Sequence, residues 1–372
     1  MSGDAPLSIV HVVRQFHPGI GGMEECVLQL ARYQQRDGHG VRVVTLDTIF
    51  DEDATRKLPH HDAIDGIEIR RVGWKGSKRY PVAPGVLRQL NGADIVHVHG
   101  VDFLFDYLAL TRPIHGRTLV LSTHGGFFHT QFAGKMKLRY FATVTRTAMR
   151  AYAGTGASST QDYERFRQIH PRNLRLIENG VSLDKFRGLA DPSAHTMLYF
   201  GRLAPNKGLF ELLPWFAQAR AVDPAWRLVI AGKPMGVEAG ELRDRAAAAG
   251  VADAVEVVVT PTDAEIADIV RRSSVYVSAS SYEGFGLAAI EGASAHLYPV
   301  LNAIPAFERT IETMGFGRIV DFTDPVSGAA FARDWPAIDR PDPGALDALL
   351  DARFGWRGHV DAFYDLYRAA AK

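Results

Sequence analysis

The chain predicts two doubly wound α/β domains. Three observations lead there. Short apolar runs alternate with helix-length amphipathic stretches in both halves of the sequence. The first strand of each half runs straight into a glycine-containing loop that opens a helix. And 372 residues are enough for two domains that each bury a core of their own. In the first half a strand over 8–13 is followed by a glycine loop, a helix over 23–36 and a strand over 41–46. Apolar runs at 94–99 and 118–122 end in His and Gly, the pattern of buried parallel strands whose ends face a site. The second half repeats the design: a strand over 196–200, a loop, a helix over 209–220 and a strand over 227–231. Strands over 255–259, 275–277 and 299–302 complete it. The polar stretch 179–193, with two glycines and a proline, holds the boundary, so the expected domains are 1–185 and 186–345. Residues 343–372 read as helical, with Phe363 and Tyr367 four apart, and 346–372 is taken as a separate closing segment.

Hydrophobic and charged contents of 47% and 23% are those of an ordinary soluble globular protein. The single cysteine, Cys26, excludes an internal disulfide framework and fits a reducing compartment. The first apolar segment, 9–13, is short and interrupted by His11, so no signal peptide is expected. No apolar run is long enough to span a bilayer, which leaves only peripheral membrane contact. The net charge is zero, yet residues 1–180 carry +6 and the remainder −6. No Asp or Glu occurs over 107–161, while Arg112, Arg117, Lys135, Lys137, Arg139, Arg146 and Arg150 do. One face of the first half should therefore be basic.

Four constellations carry chemistry. In the first, a strand ends in small residues, Glu283-Gly284-Phe285-Gly286 follows, and a helix opens near Leu287 with a second carboxylate at Glu291. Backbone N–H groups of Phe285, Gly286 and Leu287 at a helix start suit a diphosphate, and carboxylates accept from vicinal hydroxyls, so the implied ligand is a phosphate next to sugars. The bland alternative is a surface loop followed by an exposed helix glutamate. The second is Gly19-Ile20-Gly21-Gly22-Met23-Glu24, where Gly21 and Gly22 permit positive φ and close approach of backbone to a ligand; a plain tight turn is the alternative. Glu24 stands where a dinucleotide fingerprint needs its third glycine, and Asp47 is a poor ribose-binding acid, which disfavours a nicotinamide enzyme. The third is Gly201-Arg202-Leu203-Ala204-Pro205-Asn206-Lys207-Gly208, two cations flanking a turn into a helix, a clamp for a diphosphate leaving group or else a solvated pair of charges. The fourth is histidine at strand ends. His97 and His99 read as hydrogen-bonded strand-end residues rather than half of a metal site, because no ligand-spaced carboxylate or cysteine set joins them. His124, followed by Gly125 and Gly126, reads as a donor or acceptor aimed at a ligand. The stretch 127–152 adds Phe128 and Phe132 to its basic residues, which suits an anionic membrane or, equally, a core-facing helix with a solvated face. Nucleic acid is set aside for want of a binding module.

Several strings resemble the GT-B glycosyltransferases of family 4, over nearly the whole chain. I-E-N-G-V (177–181), M-L-Y-F-G-R (197–202), N-K-G-L (206–209) and E-G-F-G (283–286) are shared widely in that family. H-V-V-R-Q-F-H-P-G-I-G-G-M-E-E (11–25), K-R-Y-P-V-A-P (78–84), V-H-V-H-G-V-D-F-L-F-D-Y-L-A-L-T (96–111) and S-T-H-G-G-F-F-H-T (122–130) are similar to its mannosyltransferases of xanthan- and acetan-type exopolysaccharide assembly. The resemblance implies a GT-B fold: two Rossmann-like domains facing a central cleft, acceptor-binding first and nucleotide-sugar-binding second, with the last helix crossing back. It implies retaining transfer of α-mannose from GDP-mannose to cellobiosyl-diphosphopolyprenol, an α-1,3 link made on the cytoplasmic face by a peripherally bound enzyme. By motif matching, Glu283 would hold the donor sugar and Glu291 the ribose. Arg202 and Lys207 would take the diphosphate beside Phe285, Gly286 and Leu287, and Gly21 and Gly22 would line the phosphate and acceptor side. His124 would sit over the sugar near the reacting carbon, with Ser158 on the acceptor side. Lys135, Lys137 and Arg139 would face the membrane. No metal or other cofactor is implied, and Asp51-Glu52-Asp53 reads as a solvated acidic loop. Two routes to retention stay open, with Glu283 as nucleophile or as sugar ligand while the leaving phosphate takes the acceptor proton. Residues 321–344 match no family string. Two rivals remain, a UDP-sugar donor on the same fold and a non-catalytic nucleotide-sugar-binding module. The second would have lost Glu283, Lys207 or the glycine loops, all of which are present.

Overall fold

Five consecutive residues of the first strand, from Ile9 on, are fully buried, as a strand covered on both faces requires. This strand, β1 (Ser8–Val13), lies near the middle of an eight-stranded sheet. The others are β2 (Gly40–Leu46), β3 (His61–Ile64), β4 (Ile67–Val72), β5 (Ile95–His99), β6 (Thr118–Ser122), β7 (Tyr152–Ala157) and β8 (Leu174–Leu176). The order is β8-β7-β6-β5-β1-β2-β4-β3, with every pairing parallel except the edge pair β3 and β4. Helix α1 (Gly22–Arg36) follows β1 and buries Cys26, Val27, Leu30, Ala31 and Gln34, one stripe at helical spacing. Helix α2 (Phe103–Leu110) follows β5, its first turn capped by Asp102, whose carboxylate accepts from Leu104 N at 2.8 Å. Helix α3 (Thr160–Ile169) follows β7, capped by Ser159. Small antiparallel hairpins at Thr48–Phe50 with Thr55–Lys57, and at Lys75–Ser77 with Tyr80–Val82, are additional to the sequence expectation.

The computed structural model describes residues 5–19, 21–50, 55–78, 80–124, 139–283 and 286–371. They fall into two units, Met1–Gly180 together with Trp356–Lys372, and Val181–Gly355. The division thus comes at Gly180, within the polar stretch but ahead of residue 185. The helical tail is two helices rather than one, broken at Gly355. The first, Pro343–Phe354, belongs to the second unit, and only Trp356–Ala370 joins the first. That C-terminal helix buries Trp356, His359, Val360, Phe363, Leu366 and Tyr367 against β7 and its neighbours. Strand β7, Y-A-G-T-G-A, escapes the sequence reading because its glycines answer a distant partner. A Cβ on Gly154 would lie 2.7 Å from Leu366 Cδ1, and one on Gly156 2.8 Å from Phe363 Cζ.

The second unit is a six-stranded, wholly parallel sheet. Its strands are β9 (Thr196–Phe200), β10 (Arg227–Gly232), β11 (Val255–Val259), β12 (Val275–Ser278), β13 (Tyr298–Asn302) and β14 (Arg318–Val320). The order β11-β10-β9-β12-β13-β14 is the doubly wound 3-2-1-4-5-6 arrangement, with strand direction of travel reversing between β9 and β12. Helix α4 (Leu209–Val222) packs tightly on α9 (Val326–Asp334), where a Cβ on Gly328 would come 2.1 Å from the Trp215 carbonyl oxygen. Between them in the chain come α5 (Ala239–Ala248), α6 (Asp263–Val270), α7 (Leu287–Ser294) and α8 (Pro305–Met314). Residues 321–344, which match no family string, supply Phe322 and Phe331 to the core around Trp215 and Trp226.

Candidate active site

In an open parallel sheet, ligands bind outside the carboxyl ends of the strands where the order reverses. In the second unit those ends are the loop after β9, carrying Arg202 and Lys207, and the loop after β12, carrying Glu283. A cavity of about 360 Å³ opens there, within the size range of small-ligand sites. It is lined by Arg202, Lys207 and Glu283, by Gly286 to Ala289 at the start of α7, and by Tyr199, Phe200, Tyr276 and Phe307. The structure therefore brings Arg202, Lys207, Glu283, Gly286 and Leu287 together as the sequence proposed. Glu291 lies one turn along α7, outside the lining residues, and Phe285 falls outside the described residues.

Lys207 and Glu283 form an ion pair. Nζ stands 2.5 Å from Oε1, with side chains 11% and 19% exposed. Ser280 Oγ donates to the same carboxylate oxygen at 2.9 Å, and Ser278 Oγ lies 3.1 Å behind it. The two loops are stitched by Ser281 N donating to Asn206 O at 2.9 Å and Asn206 Nδ2 donating to Tyr282 O at 3.3 Å. Tyr199 OH donates to Arg202 O at 2.7 Å. Burial, and then the Glu283 charge, push that phenol's pKa up, so it stays protonated. Alanine at 283 would therefore disturb the fold as well as the site, because the carboxylate balances a largely buried ammonium. Gly208, capping α4 at φ +62°, would place a Cβ 2.1 Å from the Ala279 carbonyl oxygen. Gly208→Ala is expected to cost about 2–4 kcal/mol. A melting curve checks this, and an unshifted curve would mean the loops do not depend on that contact.

The first unit places its candidates likewise at carboxyl ends of adjacent strands. Gly21 and Gly22 follow β1, His99 ends β5, His124 follows β6 and Ser158 follows β7. Neither Gly21 nor Gly22 uses the positive φ that glycine permits. Gly21 is extended at φ −171° and caps α1 without a side-chain hydrogen bond, and Gly22 is the first helical residue. A Cβ on Gly22 would meet nothing within 4 Å, so its smallness leaves the helix start uncovered rather than relieving a clash. His124 adopts φ +50°, uncommon for a residue with a Cβ and of the sort found at functional sites. Ser158 Oγ donates to Asp162 Oδ2 at 3.3 Å, and Thr123 Oγ1 donates to the same oxygen at 2.5 Å. The buried Asp162 thus ties the ends of β6 and β7 together, a role that the sequence reading missed. Gly125, Gly126, Phe128, Phe132, Lys135, Lys137 and the Asp51-Glu52-Asp53 loop lie outside the described residues.

His97 and His99 are buried and hydrogen-bonded, as read, but within a larger group. Among the described residues, His11, His97 and His99 offer ring nitrogens within 4.8 Å of one another. His11 Nδ1 and His99 Nε2 lie 2.9 Å apart. Two ligands on one tetrahedral ion at about 2.0–2.1 Å would stand about 3.3 Å apart. The spacing is that of a hydrogen bond, and every other nitrogen of the three is already partnered. Burial holds His11 down to about 4 and His124 to about 3, and keeps His97 and His99 well below the usual imidazole range, so all four are neutral.

Two doubly wound units, one with a cationic clamp and a sugar-competent carboxylate at its reversal point, define a nucleotide-sugar enzyme of GT-B type. Residues 20–185 match the family Glycosyltransferase Family 4, and residues 182–333 match Glycosyl transferases group 1. A GDP-mannose:cellobiosyl-diphosphopolyprenol alpha-mannosyltransferase of Xanthomonas campestris is 43% identical, covering 98% of this chain and 97% of its own. Enzymes of the same name from Xanthomonas oryzae pv. oryzae and Komagataeibacter xylinus are 46% and 40% identical, each over 98% of this chain and over 97% and 94% of theirs. Among solved structures, a glycosyltransferase from Rickettsia africae superposes with a TM-score of 0.74 at 15% identity, covering 99% of this chain and 100% of its own. Anabaena HepE in complex with UDP and glucose gives 0.70 at 17%, covering 96% and 98%. The chain belongs to glycosyltransferase family 4.

Proposed function

We propose that this enzyme transfers mannose from GDP-mannose, with retention, to a polyprenyl-diphosphate-linked cellobiose. The observation that carries this reading is near-full-length identity of 40–46% to three enzymes of that name, joined to a Lys207–Glu283 pair in the cavity at the β9–β12 reversal. Arg202 and Lys207 neutralise the diphosphate as negative charge develops on it. Glu283 accepts hydrogen bonds from the mannose hydroxyls, Glu291 from the ribose, and the first turn of α7, with Gly286 and Leu287, adds backbone N–H donors. His124 is assigned to a hydroxyl of the donor sugar, and Gly21, Gly22 and Ser158 to the acceptor side. In the step itself the C1–phosphate bond breaks and a bond from C1 to the acceptor oxygen forms. The acceptor proton passes to the leaving diphosphate, giving GDP and the mannosylated lipid. No metal is assigned to the step. Radiolabelled GDP-mannose with a cellobiosyl lipid acceptor should give labelled lipid, undiminished by EDTA. GDP should raise the melting temperature more than UDP at equal concentration, since ligand binding to the folded state stabilises it. A larger shift with UDP would replace the donor assignment.

Membrane docking is the second part of the reading. Among the described residues no helix is long and apolar enough to cross a membrane, while the acceptor's polyprenyl chain lies in a bilayer. Leu110 and Ile114 are 78% and 80% exposed. The exposed Arg112, Arg139, Arg146 and Arg150 lie in the same acid-free stretch. Its helical segment 139–151 shares a hydrophobic cluster with α2 through Phe141 and Met149. Shallow apolar insertion flanked by arginines, each worth up to about 1 kcal/mol near an anionic surface, fits peripheral binding on the inner face of the plasma membrane. Binding should favour anionic over zwitterionic vesicles and weaken with salt. Leu110→Ser with Ile114→Ser should reduce it while transfer to a short soluble acceptor survives. Undiminished vesicle binding by that double variant would remove this surface from consideration.

A further inference from the structure

Seven side chains of the first unit make one unbroken hydrogen-bonded file. From its middle, Gln34 Oε1 meets His11 Nε2 at 2.7 Å, His11 Nδ1 meets His99 Nε2 at 2.9 Å, and His99 Nδ1 meets His124 Nε2 at 2.9 Å. In the other direction Gln34 Nε2 donates to Tyr367 OH at 3.1 Å, Tyr367 OH meets His97 Nδ1 at 2.7 Å, and His97 Nε2 meets Ser122 Oγ at 2.8 Å. Strand register builds the middle of the file, because His11 on β1 pairs with His97 on β5 and His99 follows two residues on, facing the same way. His11, Gln34 and His97 are completely inaccessible to solvent, and His99 and Tyr367 almost so. Polar groups this deep require partners, and here each has found one.

A neutral imidazole carries one hydrogen on two nitrogens, so a file of them transmits a choice. Whichever end of one ring donates, the other end accepts, and the next ring must comply. An amide is different, since its oxygen only accepts and its nitrogen only donates. Gln34 is therefore the member that sets the direction. Its oxygen requires a hydrogen on His11 Nε2, which leaves His11 Nδ1 to accept from His99 Nε2. His99 Nδ1 then accepts from His124 Nε2, and the remaining nitrogen of His124, Nδ1, is left as a lone pair. On the other arm, Tyr367 OH accepts from Gln34 and donates to His97 Nδ1, so His97 Nε2 donates to Ser122. All four rings carry their hydrogen on Nε2.

We propose that Gln34 is a positioning residue for the transfer reaction, which acts through His11 and His99 to fix the tautomer in which His124 offers Nδ1 as a hydrogen-bond acceptor to a sugar hydroxyl. Burial, which keeps the rings neutral, is what lets the choice propagate, for a doubly protonated ring would donate at both ends and break the file. His124 on this account orients a hydroxyl and supplies no proton. The proposal rests on the assignment of His124 to the donor sugar given above.

The test begins on the unaltered protein. Full-length chain labelled with ¹⁵N-histidine, without substrate, should show the Nε2–H tautomer at His11, His97, His99 and His124 in long-range ¹H–¹⁵N spectra, assigned by single histidine replacements. The Nδ1–H tautomer at His11, His99 and His124 would overturn the proposal, whatever the activity. Gln34→Leu, which removes the directing group, should leave His124 as a mixture of tautomers and lower kcat about tenfold, with KM for GDP-mannose changed much less. Gln34→Glu supplies an acceptor to both His11 and Tyr367, so it should keep the His124 tautomer, invert His97 alone and recover most of the lost rate. A merely structural role gives the reverse order, because a buried carboxylate harms a core more than leucine does. Parental kcat in a folded Gln34→Leu variant overturns the positioning role while leaving the donor site intact. Normal transfer by His124→Ala would instead refute the placing of His124, and the tautomer spectra keep the two failures apart.

Discussion

Glu283→Gln is expected to stay folded and to lose transfer by at least about a thousandfold, the scale of removing a preorganised charged contact at a reacting centre. Glutamine keeps the shape of the side chain and an oxygen for Ser280, which donates at 2.9 Å. It loses the charge that faces Lys207 across 2.5 Å and the double acceptor that two sugar hydroxyls need. Glu283→Ala should lose transfer as fully and stability besides. An ammonium only 11% exposed is then left without even the oxygen it donates to, at about 1–3 kcal/mol by the usual penalty for an unsatisfied buried group. Two measurements separate these effects, a melting curve for stability and single-turnover mannose transfer for the chemistry. GDP binding should survive in the glutamine variant if, as proposed above, the nucleotide is held by Arg202, Lys207 and α7 rather than by this carboxylate. A glutamine variant that retains a tenth of the parental rate would show that the charge is dispensable.

That division between shape and charge also explains how much was legible in the sequence. Buried parallel strands announce themselves as mainly apolar runs, so β1, β6, β9 and β12 lie where the residues put them. Strand β7 does not, since Gly154 and Gly156 are small only because Leu366 and Phe363 press on them from the far end of the chain. A period-two reading cannot see a partner two hundred residues away. The site divides in the same way. Lys207 and Glu283 stand in loops whose glycines mark them, and Gly208 and Gly286 do take positive φ. Gln34 and Asp162 carry no local mark. They matter through hydrogen bonds to residues distant in the chain that the register of the sheets brings within reach, as when β1 and β5 set His11 beside His97. The continuous helix read over the last thirty residues is broken for a similar reason. Gly355 is where the chain leaves one unit for the other, with Val181 N bonded to Phe354 O on the near side.

Lys207→Ala should cut turnover at saturating GDP-mannose by about 10²–10³-fold, and the size of the loss follows from where the ammonium sits. Lys207 ends a short turn, Pro205–Lys207, that Gly208 closes into α4, and its side chain is largely buried beside the cavity with Arg202 exposed at the rim. A cation screened from water acts on a developing phosphate charge more strongly than one at the surface, because less solvent competes for the field. Arg202 alone, exposed, compensates only in part. Lys207→Arg keeps the charge but brings a wider, planar head where a compact ammonium meets Oε1 of Glu283. It should therefore fall between the parent and alanine, within about tenfold of the parent. Lys207→Met keeps most of the stem without the charge and should behave like alanine, which separates charge from packing. The Lys207→Ala, Glu283→Gln double variant should lose much less than the product of the single losses, since each single change already breaks the same pair. The measurements are kcat at saturating donor, the GDP-induced shift in melting temperature, and stability without ligand. Near-parental turnover in Lys207→Ala or Lys207→Met would mean that leaving-group charge is met elsewhere, and the clamp would have to be reassigned to Arg202 and the first turn of α7.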